Sequence, residues 1–131
     1  MSSKVLVPIS VGELYDKISI LEIKSERLTD PAKLDNVNYE MRLLNDIAKE
    51  SEYAEQEKIK ELFLKLKEVN TNIWEAEDTI RDCERRGAFG DGFLDTARSI
   101  YRLNDARAAV KREISVLTSS AVIEEKSYSG Y

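Results

Sequence analysis

The sequence predicts an all-α protein, an antiparallel bundle of about four long helices with a dominant coiled-coil-like helical hairpin and short extended termini. Its 131 residues include only five Gly and two Pro, so turns are few and the elements between them are long. Hydrophobic residues make up 42% and charged residues 34%, a balance typical of long amphipathic helices. This length fits a single helical-bundle domain over residues 1–131.

The chain opens with an arm over residues 1–9, in which apolar residues alternate and Pro8 opposes a place in a central strand. The arm is therefore a short strand or an extended segment. The first helix is predicted over residues 11–28, because Ser10 and Glu13 fit a capping box, in which each side chain satisfies an amide of the other. Its apolar stripe consists of Val11, Leu14, Ile18, Leu21, Ser25 and Leu28.

The second helix is predicted over residues 31–50, with Asp30 as N-cap and Pro31 at the first helical position. Its stripe consists of Leu34, Val37, Met41, Leu44 and Ala48. The polar stretch from Glu50 to Lys58, across which the apolar spacing slips by one residue, predicts a turn. One continuous, bent helix remains the alternative, since no Gly or Pro enforces that turn.

The strongest periodicity predicts a third helix over residues 56–86. Its heptad-spaced seam, typical of coiled-coil-like packing, consists of Ile59, Leu62, Leu66, Val69, Ile73, Ala76, Ile80 and Cys83. Gly87 suits the left-handed conformation that ends a helix. Asp91 is predicted to cap a fourth helix over residues 92–118, which a tail over residues 120–131 follows. The stripe of the fourth helix consists of Ile100, Leu103, Arg107, Val110, Ile114 and Leu117.

Composition excludes several classes of protein. The net charge of −5 and the lack of a basic arm oppose nucleic-acid binding. No run approaches the roughly 20 apolar residues that span a bilayer, and the N-terminus is not typical of a secretory signal. A lone Cys and the absence of His exclude an internal disulfide, His-based zinc sites and Ser-His or Cys-His catalysis within this chain. We therefore expect a cytoplasmic protein without a cofactor or metal.

A polar stripe on the third helix is the first candidate site. Asn70, Trp74, Glu77, Arg81 and Glu84 fall on one face beside the apolar seam, where a Trp flanked by polar groups could stack on a ring. The simpler interpretation is a Trp at the core boundary beside an i,i+4 ion pair between Glu77 and Arg81, and it is favoured.

Arg107 is the second candidate, because it takes an apolar-seam position and a buried guanidinium needs a partner. A structural ion pair with Glu22, Glu77 or Asp78 is favoured over a site for an anion. In the anion interpretation, the forked guanidinium of Arg107 binds a carboxylate or phosphate. The full ligand-binding hypothesis combines both candidates and consists of Glu22, Lys24, Trp74, Glu77, Arg81, Asn104, Arg107 and Lys111.

Two further patterns are weaker. Glu52, Glu55, Glu75 and Asp78 match the general E-x-x-E…E-x-x-D shape of all-α nucleoside triphosphate pyrophosphatases, in which four carboxylates bind Mg²⁺. This spacing arises easily by chance in a chain with 25 Asp and Glu. The glycine-rich segment 87–92 lacks the ending of a phosphate-binding loop, and a helix-capping loop with Phe89 and Phe93 on the bundle is favoured.

Three segments resemble a family of small uncharacterised bacterial and phage proteins, a domain of unknown function. They are residues 7–24 (VPISVGELYDKISILEIK), 73–81 (IWEAEDTIR) and 101–112 (YRLNDARAAVKR). The resemblance spans nearly the whole chain and implies a stand-alone domain. It transfers no activity, although an association of relatives with surface-polysaccharide genes favours a sugar-nucleotide ligand or a glycosyltransferase partner.

The favoured functional hypothesis is a helical-bundle module that self-associates and binds a protein partner without catalysis. A third helix of about 30 residues would be about 45 Å long, and a second subunit, most simply in a homodimer, would cover part of it. The alternative is binding of a small anionic ligand, such as a nucleotide or sugar nucleotide, or a Mg-dependent pyrophosphohydrolase activity. The ligand hypothesis requires its eight residues to converge on one cavity.

Overall fold

The computed structural model describes residues 2–130, which contain four helices and no strand. In chain order these are α1 (Val11–Arg27), α2 (Pro31–Lys49), α3 (Glu57–Arg86) and α4 (Asp91–Leu117). The all-α prediction is confirmed, and each helix begins and ends within one residue of its predicted bounds. The turn between α2 and α3 is present, so these are separate helices. The extreme ends of the predicted arm and tail, Met1 and Tyr131, lie outside the described residues.

The helix α1 is the centre of the bundle. It contacts each of the other three helices, whereas α2 packs on α1 alone and α3 pairs with α4 as a hairpin. Because α1 is covered on several sides, Tyr15 and Ile23 are buried although neither belongs to its predicted stripe. The main core cluster consists of Leu14, Tyr15, Ile18, Ala48, Ile59, Leu62, Leu66, Val110 and Ile114.

The starts of α1 and α2 follow the predicted capping chemistry in part. The Ser10 hydroxyl accepts a hydrogen bond from the Glu13 amide at 3.0 Å, and Asp30 accepts one from the Ala32 amide at 3.1 Å. The predicted return contact of the capping box is wrong, because the Glu13 carboxylate binds Lys111 on α4 instead. The box is therefore half-formed, and its acidic member joins α1 to α4.

In the connection between α3 and α4, α3 ends as predicted, but α4 does not begin with the predicted N-cap. Gly87 has a φ of 65°, the left-handed conformation that ends α3. The N-cap of α4 is Gly90 and makes no side-chain hydrogen bond, so the prediction of Asp91 as the cap is wrong. Asp91 is instead the first helical residue, where a carboxylate interacts favourably with the helix dipole. Phe89 packs edge-on against Phe93 at 5.3 Å yet remains 55% exposed.

The helices α1 and α4 approach each other closely at Gly12. A Cβ atom on Gly12 would lie 2.2 Å from the carbonyl oxygen of Lys111, so any larger residue would force the two backbones apart. The Gly12 amide donates to the Ser115 hydroxyl at 3.0 Å across this contact. Leu117, which belongs to the predicted stripe, is the last residue of α4 and is exposed.

The far half of the α3 seam is only partly covered. Leu66 is fully buried, but Ile73 and Ile80 are half-buried. The reason is the length of α1, which ends at Arg27 beside Glu75, with an ion pair of 3.1 Å. The tip of the hairpin projects past that point. None of the four helices combines the length and the apolar character that crossing a membrane requires.

Candidate functional site

A buried cluster of polar side chains joins α1 to α3. The side-chain amide nitrogen of Asn70 donates to Asp16 Oδ1 and to Ser19 Oγ, both at 2.8 Å, and the Ser19 hydroxyl donates to the Asp16 carbonyl at 2.7 Å. All three residues are at most 5% exposed. Among the described residues, no buried side-chain polar atom lacks a hydrogen-bond partner, so the cluster is satisfied.

Arg107 on α4 extends this cluster. Its guanidinium donates to Asn70 Oδ1 at 3.3 Å and to Asn104 Oδ1 at 2.5 Å. Both acceptors are neutral amides, so the predicted ion pair is wrong. Of its proposed partners, Glu22 pairs with Lys67 at 3.2 Å and Glu77 pairs with Arg81 at 3.3 Å. Arg107 is half-buried, and within the described chain its hydrogen bonds go to amides and not to a carboxylate, although its charge acts on Asp16.

Lys111 lies one turn beyond Arg107 and is surrounded by acids. Its ammonium nitrogen is 2.5 Å from Glu13, 3.3 Å from Glu124 and 3.8 Å from Asp16, and its side chain is 15% exposed. Burial lowers the pKa of Lys111, but the hydrogen bond to Glu13 and the charges of Asp16, Glu13 and Glu124 outweigh this and raise the pKa above its usual value. Lys111 therefore stays cationic at neutral pH.

Asp16 responds to burial in the opposite way. Burial raises its pKa above the usual value, and this effect outweighs the hydrogen bond from Asn70 and the charges of Lys111 and Arg107, which lower the pKa. The charge of Asp16 is therefore costly in the folded protein.

The C-terminal tail, residues 118–130, runs back along α4 and encloses space against it. Glu124 contacts Lys111, Glu125 contacts Arg112 at 2.8 Å, and Lys126 contacts Asp105. The cavity that we call the tail cavity has a volume of about 720 Å³. Its lining consists of Tyr101, Asn104, Asp105, Arg107, Ala108, Lys111, Lys126, Tyr128, Ser129 and Gly130.

A second cavity lies where α1, α3 and α4 meet. It has a volume of about 420 Å³, and we call it the tryptophan cavity. Its lining consists of Ile20, Ile23, Asn70, Ile73, Trp74, Glu77, Asp78, Arg81 and Arg107. Arg107 lines both cavities and thus lies between them.

The eight residues of the ligand hypothesis are divided between these cavities. Those in the tryptophan cavity are Trp74, Glu77, Arg81 and Arg107, and those in the tail cavity are Asn104, Arg107 and Lys111. Glu22 and Lys24 line neither cavity. The requirement that all eight converge is therefore not met, although each cavity brings together a subset. The i,i+4 pair of Glu77 and Arg81 is present, as the simpler interpretation of the polar stripe predicts.

Comparison with protein families gives one match. A model described as a family of unknown function (DUF6165) matches residues 5–131. The chain belongs to this family. The matched range includes all four helices and the described tail. Comparisons with curated proteins and with solved structures found no match.

The carboxylate pattern of the pyrophosphatase hypothesis does not form a site in this family member. Within residues 2–130, no three Cys, Asp or Glu side chains are grouped so that they could hold a metal ion. Glu52 and Glu55 lie in the turn before α3, and Glu75 pairs with Arg27. The pyrophosphatase hypothesis, which requires these carboxylates and Asp78 to share a metal, is therefore contradicted for the described residues. Cys83, predicted as a small buried hydrophobic residue, is buried.

Sequence reasoning missed Asp16 and Ser19 as members of the polar cluster and Glu124 as a partner of Lys111. The positions of Asp16 and Ser19 could have been recognised from the sequence, because both are polar residues of a helix and have apolar residues before and after them. Glu124 gave no such signal, because its role depends on the tail folding back along α4.

Proposed function

We propose that this protein binds a small molecule bearing a phosphate or carboxylate group, and that the tail cavity receives it. The observation that carries this proposal is Arg107, a half-buried guanidinium whose two protein hydrogen bonds are to neutral amides. A charge in such a place is costly unless it is paired, and an anionic ligand would supply the directly hydrogen-bonded acid that Arg107 does not have among the described residues.

The chemistry of the tail cavity favours an anion. Arg107 and Lys111 supply two cations from α4, whereas Lys126 pairs with Asp105, and the volume of about 720 Å³ falls in the range of small-molecule sites. A guanidinium has five N–H donors, of which Arg107 uses two in the described part of the chain, so donors remain for a ligand. The tryptophan cavity is less suitable, because its lining has two carboxylates, Glu77 and Asp78, whereas the lining of the tail cavity has one, Asp105.

The test is thermal unfolding in the presence of phosphate, pyrophosphate, nucleotides and sugar nucleotides, each against sodium chloride of the same ionic strength. A ligand that binds the folded state stabilises it by about 2.7 kcal/mol at a hundred times its dissociation constant. We expect the shift to vanish in Arg107→Ala, measured from that variant's own midpoint. It should shrink in Arg107→Lys, which keeps the charge but loses the fork.

Arg102→Ala is the matched control, because Arg102 is an exposed arginine on the same helix and does not line the tail cavity. A ligand shift that survives in Arg107→Ala, or no shift with any anion, contradicts the proposal.

As a second function, we propose self-association into a homodimer, as the long seam of α3 led us to expect. It is supported by the N-terminal arm, where Val5 and Leu6 are each 84% exposed and Val7 is 65% exposed. Consecutive apolar side chains so open to water are typical of contact surfaces.

Light scattering over a concentration series tests this second function. We expect a dimer mass for the natural chain and a monomer mass for the variant with Ser at Val5, Leu6 and Val7. A monomer mass for the natural chain at every concentration contradicts it.

A further inference from the structure

The carboxylate of Glu124 lies on two nearly buried donors. Its Oε1 accepts a hydrogen bond from the Ser10 hydroxyl at 2.8 Å, and its Oε2 is 3.3 Å from the Lys111 ammonium. Ser10 is 1% exposed and the Lys111 side chain is 15% exposed. The Ser10 hydroxyl and the Lys111 ammonium, which also contacts Glu13 and Asp16, are fixed by the bundle and form an anion subsite, whose occupant here is part of the tail.

Beyond Glu124, the tail is held weakly. Its other ion pairs, Arg112 with Glu125 and Asp105 with Lys126, join side chains that are each more than a third exposed. Ion pairs this open to water contribute little. Tyr128 is 87% exposed and does not anchor the tail by burial. This part of the tail can therefore leave α4 at low cost.

The Glu124 subsite and Arg107 are neighbours. Arg107 and Lys111 are four residues apart on α4, which places them on the same face, one turn or about 6 Å apart along the helix axis. Lys111 lines both the tail cavity and the adjoining cavity of about 390 Å³ in which Glu124 lies. One ligand can therefore address both cations.

We propose that Glu124 occupies the subsite for one of two anionic groups of the ligand, and that a diphosphate or dicarboxylate molecule displaces Glu124 and the tail beyond it, so that the bound ligand lies on the α4 wall of the tail cavity, against Arg107 and Lys111. This inference rests on the proposed ligand-binding function and adds its regulation. Lys111 already contacts Glu13, Asp16 and Glu124, so a further anion must replace Glu124 rather than join it. The tail is then a tethered competitor, present at high effective concentration.

Calorimetric titration of the full chain with pyrophosphate and with succinate, at constant ionic strength, tests this inference. These two probes distinguish a diphosphate ligand from a dicarboxylate ligand. In Glu124→Gln, which keeps the shape but removes the charge of the competitor, we expect binding of the preferred probe to tighten about two- to fivefold, the range for loss of one partly exposed ion pair. Inorganic phosphate, with a single anionic group, should bind more weakly than pyrophosphate.

Glu125→Gln is the matched control. Glu125 also ties the tail to α4, through Arg112, but does not contact Ser10 or Lys111. The affinity of Glu125→Gln for the preferred probe should equal that of the natural chain. Equal affinities in the natural chain and Glu124→Gln would overturn the inference and leave the proposed function standing. Equal gains in both variants would also overturn it, since any loosening of the tail would then suffice. No binding in any variant would overturn the proposed function together with the inference.

Cleavage by trypsin measures displacement of the tail independently of affinity. Trypsin cleaves after Lys126, whose side chain contacts Asp105 when the tail lies on α4. A saturating amount of the probe that binds should speed this cleavage in the natural chain, relative to sodium chloride of the same ionic strength. Unchanged cleavage with the probe bound would show that the tail stays in place and would overturn the inference.

Discussion

At the residue scale, Asn70 determines how the polar interior is satisfied. Its side chain donates two hydrogen bonds to residues of α1 and accepts one from Arg107 on α4, so a single amide joins three helices. An amide suits this place because it offers two donors and an acceptor in one plane. Any residue that lacks one of these leaves a buried polar group of another helix without its partner.

Asn70→Ala should lower the free energy of unfolding by about 1–3 kcal/mol, the usual cost of leaving buried polar groups unsatisfied. Urea unfolding followed by circular dichroism measures this. Asn72→Ala is the matched control, an exposed amide half a turn away that should change stability by less than about 0.5 kcal/mol. Similar losses in both variants would show that helix propensity, and not the polar cluster, determines the effect.

Asp16 predicts a dependence of stability on pH. Because burial raises its pKa in the folded protein, the folded state binds the proton more tightly than the unfolded state, whose pKa is near 3.8. Ionised Asp16 therefore lowers stability progressively as the pH rises from about 3.8 to the raised folded pKa. Asp16→Asn removes this term.

The stability of Asp16→Asn minus that of the natural chain should thus increase with pH over this window and then level off. Urea unfolding of both proteins between pH 4 and pH 7 measures the difference. A difference that stays constant over this range would contradict the direction of the pKa shift.

At the element scale, the contact between α1 and α4 sets how closely the bundle can pack. Gly12→Ala would place a Cβ atom 2.2 Å from a backbone oxygen of Lys111 and 2.9 Å from Ser115 Oγ. Backbone cannot rotate away as a side chain can, so we expect a loss of about 3 kcal/mol, the upper end of the usual range for overpacking.

Thermal unfolding of Gly12→Ala, with Gly92→Ala as its control, tests this expectation. Gly92 is also helical, but a Cβ atom there meets nothing within 4 Å, so Ala should be neutral or stabilise by up to about 1 kcal/mol. A Gly12→Ala protein as stable as the natural chain would mean that α1 and α4 can separate without loss.

The helices could be predicted because their signals are local. Periodicity located α3, and the side chain of Asp30 and the backbone freedom of Gly87 marked helix ends. The interior of the site could not be predicted in the same way. Asp16 and Asn70 are 54 residues apart, and Lys111 and Glu124 meet only because the tail reverses along α4. Such contacts depend on which helices are neighbours, and amphipathic stripes do not encode that choice.

At the scale of the whole molecule, α2 is the least integrated helix. It contacts α1 alone among the helices, and its buried residues are Val37 and Ala48. Elements with few buried contacts open at a lower free energy than the core of the same protein. Amide hydrogen exchange should therefore be faster throughout α2 than in α1 or in the first half of α3. Equal protection of α2 and α1 would show that the four helices open as one unit.

The two ends of the helical body lie side by side, since the Val11 amide donates to the Ser120 hydroxyl at 3.1 Å and Ser10 donates to Glu124. The residues that flank the helical body are thus close enough for a short linker to join them. Other orders of the four helices along the chain would give the same bundle. A short Gly-Ser linker between the ends, with new termini opened in the turn at residues 51–56, would yield a circular permutant in which α3 comes first. Such a protein would present α1 and α2 as its C-terminal half and would expose the turn as a site for fusing a label.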